Sequence, residues 1–549
     1  MEPKLQCDSF KGVKVRFKEI LSVLSKSSPY AVSTERAQAI SEQLDAVKQY
    51  LYIPTTIERD FKNALDKASP TAKKIIFLCG SSGDGKSEIL TRYSKEYADA
   101  AIFHLDATHS FDPNTTAIQT LDGLFDESLS SQKSLVVGIN IGMLGNYAQE
   151  GNNEHIKKAI QTFLDGGRVY ESVLFLNFED YAKFQLNEAG HTSEFIQSVF
   201  NKITAKENNP IRECFNLELS HASTDKKLCA NYRLLSIPQV QERIIEVLFK
   251  TRLMKDQFLT ARTLLDFLHS ILVGPGTSTG YLFDNLFEES DNELSASLVA
   301  FDPADIRTNA IDKFVLSYSL GIKDELFEEY ITYLSTEIGV RKPNKPRPNS
   351  YLRLFYLLKE AEISNQYHIR FMNDFAENLI GRYSQIWNLH QNYTGEKEER
   401  NTIRAFYRDT VITAVHKYNN RNATNLNKGQ FLTSQHNGYQ IVTEVALKPN
   451  LDAVSGDAAA TPAFFLAQLK LDNEPFHIPI NVNLLKLMED IVNGYRPNKH
   501  DKNTVVLLDE LVDRISDIAV NADELMIIKK DKKFTVKNID DEDIEVTGI

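Results

Sequence analysis

The sequence predicts an α/β chain: a parallel sheet flanked by helices, then a helical region, then a C-terminal half running from helical to mixed α+β. Three observations predict it. Short apolar runs alternate with helix-length segments between residues 71 and 237, and alternation at that spacing builds βαβ units. The runs are apolar throughout, as strands covered on both faces are. Beyond residue 238 the apolar positions take helical spacing, and strand-like alternation returns only past residue 430.

At 549 residues the chain exceeds one ordinary domain. The pattern divides it into a helical segment 1–70, the α/β core 71–237, helical stretches 238–340 and 341–430, and a mixed α+β region 431–549. With 42% hydrophobic and 25% charged residues it reads as globular. The net charge of −13 argues against a uniformly DNA-coating surface and leaves room for a local basic patch. No stretch reaches membrane-spanning length; the apolar run 135–144 is too short and reads as a buried strand. Residues 1–7 carry no apolar signal core, and four cysteines suit a reduced, cytoplasmic chain.

In chain order, Ser33 to Arg36 suggests a capping box before a helix reaching Tyr50. Residues 52–56 break that helix, and 56–68 form the next. Strands are expected at 74–79, 101–106, 134–141 and 172–177, with a fifth at 231–235, and helices at 114–129 and 155–164. Residues 238–272 are helical, 274–280 punctuate, and 281–400 are mostly helical, interrupted at 341–348. Strands at 439–447, 476–482 and 524–531, a helix at 505–518 and a hairpin or frayed end at 529–546 complete the reading.

Between the first strand and its helix lies Gly80-Ser81-Ser82-Gly83-Asp84-Gly85-Lys86-Ser87, the pattern G-x-x-x-x-G-K-[ST] of a P-loop. The glycines let backbone amides close around phosphate at the positive end of a helix dipole. Lys86 is expected on the β- and γ-phosphates, the Ser87 hydroxyl on Mg²⁺, and Glu88 follows in the same turn. The core is thus expected to be a P-loop NTPase fold binding ATP with Mg²⁺. The strand-to-helix context sets the loop apart from a chance match.

A hydrolase of this kind needs a carboxylate at a neighbouring strand end. The third strand ends in Asn140 instead. In one reading Asp106 supplies the carboxylate and Asn140 polarises water. In the other Glu179 or Asp180 supplies it, with Asn177 as sensor. Asp106 is preferred, although a strand-end aspartate can simply cap a turn. Arg262, in the first turn of a helix after the core, is similar to the sensor-2 arginine of AAA-type proteins, in a helical lid; the plain alternative is a solvated arginine.

The runs KIIFLCGSSGDGKSEIL, FHLDATHSFDPN, LVVGINIGML and VLFLNFEDY resemble the DptF family, ATPase-like components of phosphorothioation-dependent DNA restriction in bacteria. The resemblance covers the N-terminal half and extends plausibly over the whole chain. It implies a defence role, action with other subunits of the restriction system, and DNA engagement, direct or through partners. The chain's Asn140 departs from the usual pattern and leaves a non-hydrolysing nucleotide-gated scaffold as the rival reading. A phosphotransferase would need a second substrate motif that does not stand out.

Arg341, Lys342, Lys345, Arg347 and Arg353, with Tyr351 and Phe355, could track a phosphate backbone or form a solvated loop. Residues 417–428 (KYNNRNATNLNK) offer a second basic set, read as a loop. Cys214, His221 and Cys229 are metal-ligand types without tetrahedral zinc spacing, and read as ordinary side chains. Residues 540–543 read as a solvated acidic run. No nuclease motif stands out.

Overall fold

Four strands pair in parallel: β1 (Ile75–Cys79), β2 (Ala101–His104), β3 (Ser134–Ile139) and β4 (Val173–Asn177), in the order β2-β3-β1-β4. Phe77 of β1 lies opposite Val137 on one side and Phe175 on the other. Side chains alternate across a strand, and here both faces are covered. Phe77, Cys79, Val137 and Ile139 pack among residues of helices Ala117–Ser130, Ile141–Glu150 and Glu154–Leu164. Ile76, Leu78 and Val136 pack with helices Thr56–Asp66 and Lys86–Glu96 on the other face. Double coverage explains why the strands read as continuous apolar runs.

The structure is a computed structural model. It describes residues 15–25, 35–68, 73–107, 115–167, 172–181, 185–187, 190–255, 259–274, 280–288, 293–342, 347–362, 367–376, 379–423, 426–455, 463–472, 474–499, 501–520, 522, 524–530, 532–538 and 543–548. The capping box expected at Ser33, Lys345 and most of the acidic run 540–543 lie outside them. Among the described residues no helix is long and apolar enough to cross a membrane.

The chain forms two compact units: residues 1–183, 193–252 and 257–376 in the first, and 184–192, 253–256 and 377–549 in the second. In the first, Thr55 caps helix Thr56–Asp66, its hydroxyl accepting from Glu58 N while the Glu58 carboxylate accepts from Thr55 N. The fifth strand expected at 231–235 is instead the end of a helix, Lys226–Leu235, started by Asp225, which accepts from Lys227 N and Leu228 N. Leu228, Ala230, Tyr232, Leu234 and Leu235 are all buried. An apolar run covered on all sides carries no period to tell helix from strand.

Arg353 corrects the basic stretch. Its Nη1 donates to Asp284 at 2.9 Å and its Nη2 to Asp302 at 2.6 Å. Tyr351 and Phe355 are buried, and Lys342 pairs with Glu328. Helix Pro348–Leu357 is buried over most of its surface, so its arginine and aromatics face inward and cannot track a polyanion.

The second unit holds a five-stranded antiparallel sheet and a three-stranded one, with helices Leu379–Gln391, Lys397–Phe406, Val482–Val492 and Lys502–Val520. The tail is a true hairpin, Lys532–Asn538 against Ile544–Gly548. A π-helical turn, Tyr407–Ile412, sets the Tyr407 hydroxyl to accept from Gln468 N at 2.9 Å. That hydroxyl lies 2.8 Å from His390 Nε2, and His390 Nδ1 lies 2.7 Å from Ile386 O. The carbonyl can only accept, so Nδ1 carries the proton and Nε2 takes the Tyr407 proton.

Burial pushes His390 from 6.5 down to about 4, against a smaller opposing contribution from its bond to Ile386, and burial pushes His368 of the first unit down to about 4 as well. Below pH 6.5 the unfolded chain binds these protons and the folded chain does not, so stability is full above pH 6.5 and falls as pH drops toward 4. Each site forgoes about 3 kcal/mol by pH 4. Thermal unfolding from pH 7 to pH 4 should show steep loss below pH 6.5. A melting temperature flat down to pH 4.5 contradicts the neutral, buried assignment.

Candidate functional site

The glycine-rich turn 80–85 joins β1 to helix Lys86–Glu96. Gly80 N donates to Ile139 O at 3.3 Å, fixing the start of the turn to the end of β3. Gly83 has φ +87° and Gly85 φ +105°, left-handed conformations that strain any other residue. Gly85 serves as the helix N-cap without a capping side chain. A helix start leaves backbone N–H groups unbonded within the helix, and they can donate to an anion.

The turn is also held from within. Lys86 Nζ donates to Gly80 O and Ser81 O, both at 2.7 Å, and Asp84 Oδ2 accepts from Ser81 N at 2.8 Å. A Cβ on Gly80 would lie 3.0 Å from both Asp84 and Phe178. Arg262 N donates to Gly83 O at 3.3 Å, and a Cβ on Gly83 would stand 3.0 Å from the Thr260 hydroxyl. Thr260 caps helix Ala261–Val273 through Thr263 N. The helix carrying Arg262 therefore begins directly on the turn.

One cavity of about 850 Å³ gathers most of the residues singled out by sequence. Ser82, Gly83, Asp84, Gly85, Lys86, Ser87 and Glu88 line it, together with Asp106, Asn140 and Arg262. Gly80 and Ser81 lie behind the lining, engaged by Lys86 and Asp84. Ala107 N donates to Gly138 O at 2.9 Å, which sets Asp106 beside the end of β3 and near Asn140 in chain placement. Asn140 Oδ1 accepts from Met143 N at 2.7 Å as the cap of helix Ile141–Glu150. Its Nδ2 is thus the atom left to serve the cavity, as a donor.

Phe178 lines the cavity, whereas Asn177, Glu179 and Asp180 are not among its lining residues. Asn177 instead accepts from Glu179 N at 3.2 Å. Asp106 thus lines the cavity with the turn, and the β4 end borders the turn as well, with Asn177 opposite Cys79 and Phe178 against Gly80.

Apolar side chains that escaped the sequence reading also line the cavity: Leu51, Ile53, Phe195, Val199 and Leu265. Tyr52 and Arg92 line it too, the guanidinium 3.6 Å from the centre of the phenol ring. Arg92 also lies 3.6 Å from Glu88. Burial, reinforced by Glu58, holds the Tyr52 phenol above its ordinary range, so the ring stays neutral. Tyr52 and Arg92 lie far apart in sequence, and no local pattern signals their pairing.

Cys214 and Cys229 are buried, which raises their thiols to about 12 and about 11. Cys214 Sγ donates to Val15 O at 3.4 Å. Among the described residues no group of three His, Cys, Asp or Glu side chains could hold a metal. Comparison of the chain with protein-family models, with curated proteins and with solved structures finds no match.

Proposed function

We propose that residues 80–87 form the P-loop of an NTPase core, that it binds ATP with Mg²⁺, and that the chain hydrolyses it. The observation that carries this reading is one cavity lined by the turn, Asp106, Asn140 and Arg262. The residues fit the ligand. Glycines with left-handed φ leave a backbone cradle open, and Lys86, already bound to two loop carbonyls, can turn its ammonium to phosphate.

In this reading the loop amides and Lys86 hold the β- and γ-phosphates. Ser87 and Asp106 would hold the metal, which would supply charge neutralisation to the phosphates. Asn140 Nδ2 orients the attacking water, and Arg262 meets the charge on the transferred phosphoryl group. The apolar lining residues and Tyr52 receive the base. Because the Arg262 helix starts on Gly83, a change at the loop reaches the helical lid directly.

The resemblance to the DptF family supports a wider role: a cytoplasmic ATPase subunit of a bacterial phosphorothioation-dependent restriction system. It would work with partner subunits and engage DNA in antiviral defence. One observation favours the rival, a non-hydrolysing scaffold: Asn140 stands where a carboxylate is usual, with its oxygen committed to a helix cap.

Phosphate release by the purified chain, with and without DNA, separates the two. We expect Mg²⁺-dependent release in wild type. Asp106→Asn should lose it at least a hundredfold while still binding ATP, and Glu179→Gln should leave it unchanged. Tight ATP binding without release in wild type would favour the scaffold.

A further inference from the structure

The second unit carries a basic groove that the nucleotide site does not use. We infer that this groove binds a single-stranded nucleic acid through its phosphate backbone, with tyrosine and arginine planes available for base stacking. The inference takes up the DNA engagement proposed above and is independent of nucleotide turnover.

Two segments far apart in sequence form it: residues 416–423 with Leu426, at the end of helix Thr413–Asn419 and beyond, and residues 491–497, at the end of helix Val482–Val492 and beyond. The groove encloses about 310 Å³, a space on the scale of a nucleotide rather than a duplex. Lys417, Arg421 and Arg496 line it. Lys428, Lys499 and Lys502 flank these segments, giving six cations against one carboxylate, Asp501, over residues 417–428 and 494–502. In a chain of net charge −13 that concentration stands out.

Among the described residues none of the six forms an ion pair. Lys417 donates to Val492 O at 2.7 Å, and Arg421 Nη1 to Tyr418 O at 2.9 Å, so each is bonded to a carbonyl and not to a carboxylate. Asp409, which acts on Lys428, is paired with Arg408, and two other neighbouring carboxylates are engaged by neutral donors. Asp501 accepts from the Tyr495 hydroxyl and Asn498 N, and Asp509 from the Tyr418 hydroxyl.

The groove also presents flat surfaces. Tyr418 is buried, and the exposed Arg421 guanidinium stands 4.2 Å from the centre of its ring; Tyr495, also on the lining, is 40% exposed. Unpaired cations that follow a backbone, combined with exposed aromatic and guanidinium planes, are the means by which single strands are held without sequence readout.

The test is fluorescence anisotropy of a labelled, mixed-sequence single-stranded oligonucleotide with the full chain, without ATP, across a salt series. Wild type should bind, with log affinity falling linearly as log salt rises. Arg496→Ala and Lys499→Ala should each flatten that slope by about 0.7, the share of one single-strand phosphate contact. Arg421→Ala should weaken binding at least tenfold. All three side chains are at the surface, so unchanged melting temperatures are expected and would show that the variants fold. Lys86→Ala should bind the oligonucleotide like wild type; if ATP binding fails while this binding persists, only the nucleotide reading falls. Absence of binding in wild type at low salt overturns the inference. So does equal affinity for polyglutamate, or binding unchanged in the combined Arg421→Ala/Arg496→Ala/Lys499→Ala variant.

Discussion

Lys86→Ala is expected to abolish ATP turnover and to weaken ATP binding at least a hundredfold, with the fold intact. The Lys86 ammonium makes two 2.7 Å bonds to loop carbonyls, but it is only half-buried and those carbonyls can turn to water. Charge-assisted bonds to phosphate are worth about 1.5–3 kcal/mol each, and Lys86 is placed for more than one. Calorimetric titration with ATP and a melting curve check both halves. Wild-type ATP affinity in the variant would remove Lys86 from the site, and restriction surviving the change would sink the reading as an ATPase subunit of a restriction system.

Arg353→Leu is the second large effect, and it concerns stability. Asp284 is fully buried, with Arg353 at 2.9 Å and the Ser350 hydroxyl at 2.9 Å. Removing the guanidinium leaves Asp284 and Asp302 without their cation. Breaking a buried pair in this way costs about 3–5 kcal/mol. The combined change Arg353→Leu/Asp284→Leu should recover part of that loss, because it removes the stranded charge as well. Chemical denaturation of the three proteins checks the order. A single variant within about 0.5 kcal/mol of wild type, as at an ordinary surface site, would contradict a structural role for the cluster.

These two residues also show what a sequence reveals. The strand, turn and helix around Lys86 were legible because their signals are local: glycines at fixed offsets, a buried strand before them and a helix after. The four parallel strands were legible because coverage on both faces leaves uninterrupted apolar runs. Arg353 was misleading. Its neighbours in sequence are basic, but its partners Asp284 and Asp302 lie 69 and 51 residues away. Residues 231–235 failed for a related reason, since full burial erased the period that separates helix from strand. Tyr52 and Arg92 could not be paired from sequence at all. Their approach depends on how the segment before β1 packs against the helix after the loop.

The choice between Asp106 and the β4 carboxylates was open in sequence because both follow strands. In the fold Asp106 lines the cavity with Ser87, while the β4 end borders the turn through Asn177 opposite Cys79, so the comparison of Asp106→Asn with Glu179→Gln decides between them. Asn140 was noticed as a departure from the usual pattern. Its cap to Met143 N adds that the amide nitrogen, a donor, is the end left for the cavity.

The central claim, that residues 80–87 bind a nucleoside triphosphate, is tested most directly by isothermal titration of the full chain with a non-hydrolysable ATP analogue and Mg²⁺. The account predicts saturable binding of one analogue per chain, lost in Lys86→Ala. Heats indistinguishable from dilution for the folded wild-type chain would contradict it.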